Sequence, residues 1–116
     1  MFRVMAFLIK KQDIDTQTFI DHYEKKHIPL ICSLAPSPVV YKRMYLVRDD
    51  RLTREGGVVD FDVVIELGFP DRDAFLAWMA KLSATGAGEQ VAADEARFLD
   101  RSRTRAYVFE EYVTAG

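Results

Sequence analysis

The sequence predicts an α+β domain, a single antiparallel sheet of four strands in the chain order β-α-β-β-α-β with its helices on one face. Three observations predict it. Runs rich in β-branched and aromatic residues stand near both ends and twice in the middle. Two stripes of helical period separate the first run from the second and the third from the fourth. A charged segment closed by a glycine pair joins the middle runs. With 116 residues and 49 % hydrophobic content the chain is sized for one domain, residues 1–116, because two cores would each be too small.

The first strand is expected over Phe2 to Ile9, where both alternating sets, Phe2, Val4, Ala6, Leu8 and Met5, Phe7, Ile9, are apolar. That pattern predicts burial on both faces. Asp13 or Asp15 then offers a carboxylate to the free amides of a helix, along which Phe19, Tyr23, His27, Leu30 and Leu34 form one stripe. Pro36 and Pro38 punctuate the chain before the second strand, Val39 to Arg48. The solvated segment RDDRLTREGGVVD leads to the third strand, Phe61 to Phe69. Pro70 and Asp71 open a second helix with Ala74, Phe75, Trp78, Met79 and Leu82 at helical spacing, and SATGAG breaks it. That stripe reads as packing rather than a cofactor box. A shorter helical stretch is expected over Gln90 to Leu99, and RTRAYVFEEYVT reads as strand four.

This order is the ferredoxin-like plan. Helices on one face leave one of the two apolar sets of strand one, together with Val64, on the other, so a second copy of the sheet is expected to cover them in a symmetric dimer, a barrel shared between subunits.

Charge and composition exclude several classes. Sixteen basic against eighteen acidic residues, with no long run of either sign, provide no footprint for nucleic acid. The single cysteine, Cys32, closes no internal disulfide and belongs to no cluster with zinc spacing, which fits a reduced, cytoplasmic setting. The opening segment is too short and charged to span a membrane. Gly56-Gly57 and ATGAG match neither a P-loop nor a dinucleotide fingerprint, so neither cofactor nor metal is expected.

The segment TFIDHYEKKHIPLI holds the two histidines of the chain. At about 100° per residue His27 shares the apolar stripe, whereas His22 lies about 140° away and is expected to face water. Pro29 lacks an amide hydrogen and crowds the Lys25 carbonyl, so a kink or helix end is expected beside His27. A freed carbonyl there can fix the imidazole tautomer, leaving the other ring nitrogen to move a proton. The bland alternative is a half-buried histidine holding the helix end in place. Tyr41, Arg43 and Tyr45 share one face of strand two and are candidates to hold an oxyanion; Glu66 is a candidate partner of Arg43, across strands or between subunits. Asp94, Glu95 and Asp100 stand in the segment DEARFLD, where a carboxylate beside an imidazole can orient it, ordinary solvation of a helix end being the bland alternative. Tyr23, Asp94 and Phe98 complete the ligand-contacting set.

FIDHYEKKHIPL, Phe19 to Leu30, resembles the F-x-x-H/Y-Y-x-x-x-H-x-P-L signature of the EthD family, within the dimeric α+β barrel superfamily. DEARFLDRSRTRAYVFEEYV, Asp94 to Val113, resembles its second block, with Glu110, Glu111 and Tyr112 where members commonly close on Glu-Glu-His. The resemblance implies the fold more than a reaction. It is compatible with a cofactor-independent enzyme that moves a proton on a small apolar carbonyl, lactone or aromatic compound through His27. It equally allows a metal-free oxygenase or accessory protein of an ether-oxidising system, or a ligand-binding domain without catalysis.

Overall fold

The structure, a computed structural model, describes residues 1–116. Its elements run β1 (Phe2–Leu8), α1 (Thr16–His22), a π-helical turn (Tyr23–His27), α2 (Ile28–Leu34), β2 (Val40–Tyr45), β3 (Val63–Phe69), α3 (Arg72–Leu82), α4 (Ala87–Glu95), a 3-10 turn (Arg101–Arg103) and β4 (Arg105–Val108). The sheet has the order β2-β3-β1-β4, every pair antiparallel. This is the expected ferredoxin-like topology. No helix is long and apolar enough to cross a membrane.

Local chemistry sets the helix starts. The Asp15 carboxylate accepts from the Thr18 amide at 2.7 Å, and Asp71 accepts from the Ala74 amide at 2.8 Å, satisfying donors that the first turn leaves free. Between α1 and α2 the chain departs from the regular pattern. The Ile28 amide donates to the Tyr23 carbonyl, five residues back, in the widened turn that precedes Pro29. The expected kink is therefore a π turn. It shifts the buried stripe: Phe19, Tyr23 and His27 are followed by Ile31 and Ala35, not by Leu30 and Leu34. A spacing of four drifts by about 40° per step on a regular α-helix, and the one wide turn takes that drift back.

Register assigns the two faces of the sheet. Val4, Ala6 and Leu8 stand opposite Leu67, Ile65 and Val63 on the helix-covered face, which Tyr41, Arg43 and Tyr45 extend along β2. Phe19, Phe98 and Val63 are completely buried in the core between this face and the helices. Met5, Phe7, Val64, Lys42, Met44, Glu66 and Tyr107 occupy the outer face. Strand one is thus deeply buried only at Val4 and Leu8, while Met5 and Phe7 are half-buried in the protomer. The expected Arg43–Glu66 pair does not form, because the two side chains leave opposite faces. Glu66 meets Lys42 at 3.2 Å and Arg3 at 3.6 Å instead. β4 is shorter than expected, continued only by the Phe109 amide donating to the Arg3 carbonyl.

Phe19→Ala is expected to lower unfolding free energy by about 3–5 kcal/mol, because the ring is fully enclosed and its loss leaves a cavity. Urea denaturation of the purified variant checks this.

Candidate active site

The π turn changes what the two histidines can do. His27 Nδ1 lies 2.9 Å from Asp94 Oδ2, and His22 Nε2 lies 3.0 Å from Asp94 Oδ1. One carboxylate at the end of α4 therefore bridges both imidazoles, and His22, expected in water, is on it. An α-helical path would separate two residues five apart by about 140°, whereas a turn with i to i+5 bonding brings them toward one side. Phe98 is fully buried against both rings, with centroids 4.6 Å from His22 and 5.0 Å from His27.

Burial alone would raise the Asp94 carboxyl, but the hydrogen bonds from His27 and His22, with their charge, outweigh it and hold the group below the ordinary aspartate value. An ionised carboxylate only accepts, so His27 carries hydrogen on Nδ1 and His22 on Nε2. In the neutral ring this leaves the lone pair of His27 on Nε2, which has no hydrogen-bond partner in the protein. The tautomer is thus set by a side chain, not by the freed backbone carbonyl that the sequence pattern suggested.

His27 is one wall of a cavity of about 390 Å³ between the sheet and the helices. Ile31, Ile65, Leu67, Trp78 and Val91 supply apolar walls, and Tyr23 and Tyr41 add phenols; Glu95, Arg101 and Thr104 also border it. Glu95 and Arg101 pair at 3.2 Å. Burial pushes the Tyr23 and Tyr41 hydroxyls well above the usual phenol range, so both remain protonated at neutral pH.

The other candidates divide cleanly. Arg43 grips Glu24 of the π turn through Nε at 2.9 Å and Nη2 at 2.5 Å, and the Tyr45 hydroxyl donates to the same carboxylate. Arg43 and Tyr45 therefore brace the turn rather than face the cavity. Glu66 lies on the opposite side of the sheet, and Asp94 and Phe98 stand behind His27. Nothing in the residue spacing pointed to Glu24. His22 had a signal: two histidines five apart with a proline two residues further on match the period of a π turn.

Asp94 stabilises the fold while ionised, since its folded-state value is depressed. The stability difference between wild type and Asp94→Asn is accordingly expected to shrink as pH falls below about 4, the value of a free aspartate. Urea midpoints measured from pH 5 downward read it.

The EthD domain family matches residues 11–102. Among curated proteins none matches this sequence. An ethyl tert-butyl ether D (EthD) family protein from Bacillus halodurans superposes with a TM-score of 0.64 at 20 % identity, over 97 % of this chain and 100 % of the other. HapK from Hahella chejuensis gives 0.59 at 16 % identity, over 100 % and 96 % of the two chains. A dimeric ferredoxin-like protein of unknown function from Thermobifida fusca gives 0.54 at 15 %, over 93 % and 88 %. These likenesses bear on the fold, and the domain match over residues 11–102 carries the assignment: the chain belongs to the EthD family.

Proposed function

We propose that the protein is a cofactor-independent enzyme that moves a proton on a small, largely apolar carbonyl, lactone or aromatic compound, with His27 as the general base. The observation that carries this reading is the His27 ring itself. Its Nδ1 is held by an ionised Asp94 while Nε2 is unpartnered on a side chain lining an apolar cavity. A base needs a fixed tautomer and a free lone pair within reach of the substrate. Asp94 supplies the first, and it also stabilises the imidazolium formed when Nε2 takes a proton. A histidine kept only to hold a helix end would have no need to border the cavity.

Return of the proton from Nε2 to a different atom of the substrate completes an isomerisation, and its return with loss of a leaving group completes an elimination. The same base also serves an oxidative route, in which a deprotonated aromatic substrate reacts with oxygen. Incubation of ketones, lactones and phenols in deuterated water reads the first step as exchange at acidic carbon positions. His27→Gln is expected to lower that exchange by about 100-fold or more, the usual contribution of a positioned base. Binding without exchange or turnover in wild type, across the panel, would make the domain a ligand carrier. Oxygen uptake in the same panel would assign the oxidative route.

We also propose that two protomers join through the outer faces of their sheets. Met5, Phe7, Val64, Met44 and Tyr107 make that face apolar, and Phe7 stacks edge-on with Phe61 at 4.9 Å and Tyr107 at 5.9 Å. Such a patch is costly to leave in water. Light scattering is expected to show a dimer for wild type and a folded monomer for Val64→Glu, which places a charge at the centre of the patch.

A further inference from the structure

We infer that the cavity is an oxyanion site for weakly acidic enols and phenols, with the Tyr23 and Tyr41 hydroxyls as its donors. The inference rests on His27 acting as the base and adds the class of compound on which it acts. That class is cyclic or aromatic molecules whose conjugate base is delocalised onto an oxygen.

Three tyrosines sit on or against the helix-covered face, and their hydroxyls have different fates. Tyr45 donates to Glu24. Tyr23 is almost fully buried and Tyr41 half-buried, and neither hydroxyl makes a hydrogen bond to the protein. Both residues line the same cavity as His27, and the Tyr23 ring stands edge-on to the imidazole with centroids 5.4 Å apart. With no acceptor in the protein and both side chains lining the cavity, the two hydroxyls are free to donate to whatever occupies it. Two phenols that do not ionise act as donors toward an anion, and donors fixed in place favour the charged form of what they hold.

The remaining walls agree with a flat occupant. Tyr41 and Trp78 meet edge-on at 6.4 Å, and Ile65, Leu67 and Val91 offer apolar contact on other sides. The cavity of about 390 Å³ admits a molecule of one or two rings. Glu95, the carboxylate that borders the cavity, is neutralised by Arg101 at 3.2 Å. The reaction balances without a further reagent. A C–H or O–H bond of the substrate breaks, its proton goes to His27 Nε2, and the electron pair moves onto the substrate oxygen. Both tyrosines keep their protons throughout.

The probe is 4-nitrophenol, whose ionised form alone absorbs strongly in the visible. At a pH near its own ionisation midpoint, wild type is expected to increase the visible band on binding. Tyr23→Phe and Tyr41→Phe are each expected to weaken that binding about tenfold or more, the value of a hydrogen bond to a charged acceptor. Tyr112→Phe, on an exposed side chain, serves as the control and should match wild type. Melting curves verify that each variant is folded, and removal of a hydroxyl alone keeps the ring packing.

The inference is overturned if 4-nitrophenol does not bind, if it binds without a rise in the band, or if both folded tyrosine variants bind as wild type does. The two readings fail separately. Tyrosine-dependent binding of the phenolate with no proton exchange on any substrate would remove the base and keep the oxyanion site. Exchange that needs His27 but ignores both tyrosines would do the reverse.

Discussion

The missing amide hydrogen of Pro29 is the constraint on which the site depends. In an unbroken α-helix that amide would donate to the Lys25 carbonyl, and the proline ring would collide with the same group. Widening the turn over Tyr23–His27 relieves both problems and transfers the bonding to the pair of Ile28 and Tyr23, five residues apart. Two histidines at that separation then reach a single carboxylate. Pro29 does not itself line the cavity, yet the geometry of the base follows from it.

A wide turn is a poor solution for an isolated helix, so the fold has to hold it. Glu24 does so from the solvent side, accepting two hydrogen bonds from Arg43 and one from Tyr45 on β2. The Arg43 hydrogen bond above all keeps the Glu24 carboxyl below its ordinary value, so the brace is an ion pair at neutral pH. Phe98 holds the turn from the core side, packed on both imidazoles. Tyr41 and Tyr45 show how narrowly the roles are divided. They are four residues apart on the same face of one strand, yet the Tyr45 hydroxyl braces the turn while Tyr41 lines the cavity.

Much of this was legible in the residues. Element order follows from alternation and helical period, the helix starts from Asp15 and Asp71, and the inward direction of His27 from its place in the stripe of Phe19 and Tyr23. An orienting carboxylate was visible as a residue type near the second block, with Asp94, Glu95 and Asp100 as alternatives that spacing does not separate. The shift of the stripe from Leu30 and Leu34 to Ile31 and Ala35 was not, because a 3.6-residue period presumes the regularity that Pro29 breaks. Nor was the fate of Arg43, since alternation assigns a side chain to a face but not to a partner. Glu24 lies nineteen positions away along the chain and reaches Arg43 only once the helix has folded over the sheet.

The two faces of β3 put opposite demands on one strand. Ile65 and Leu67 turn into the cavity, while Val64 and Glu66 belong to the outer surface. Glu66 is buried there between Lys42 and Arg3, which also pairs with Glu111 at 2.9 Å. A buried charge so placed adds little net stability, because its desolvation offsets the attraction of its partners. What it does supply is register. Sliding β1 or β2 by one residue along β3 would move Arg3 or Lys42 away and strand a carboxylate among Met5, Phe7 and Met44. The slip of β2 would also turn Tyr41 out of the cavity, so the Lys42–Glu66 ion pair on the outer face keeps the ligand-facing phenol in its place on the other.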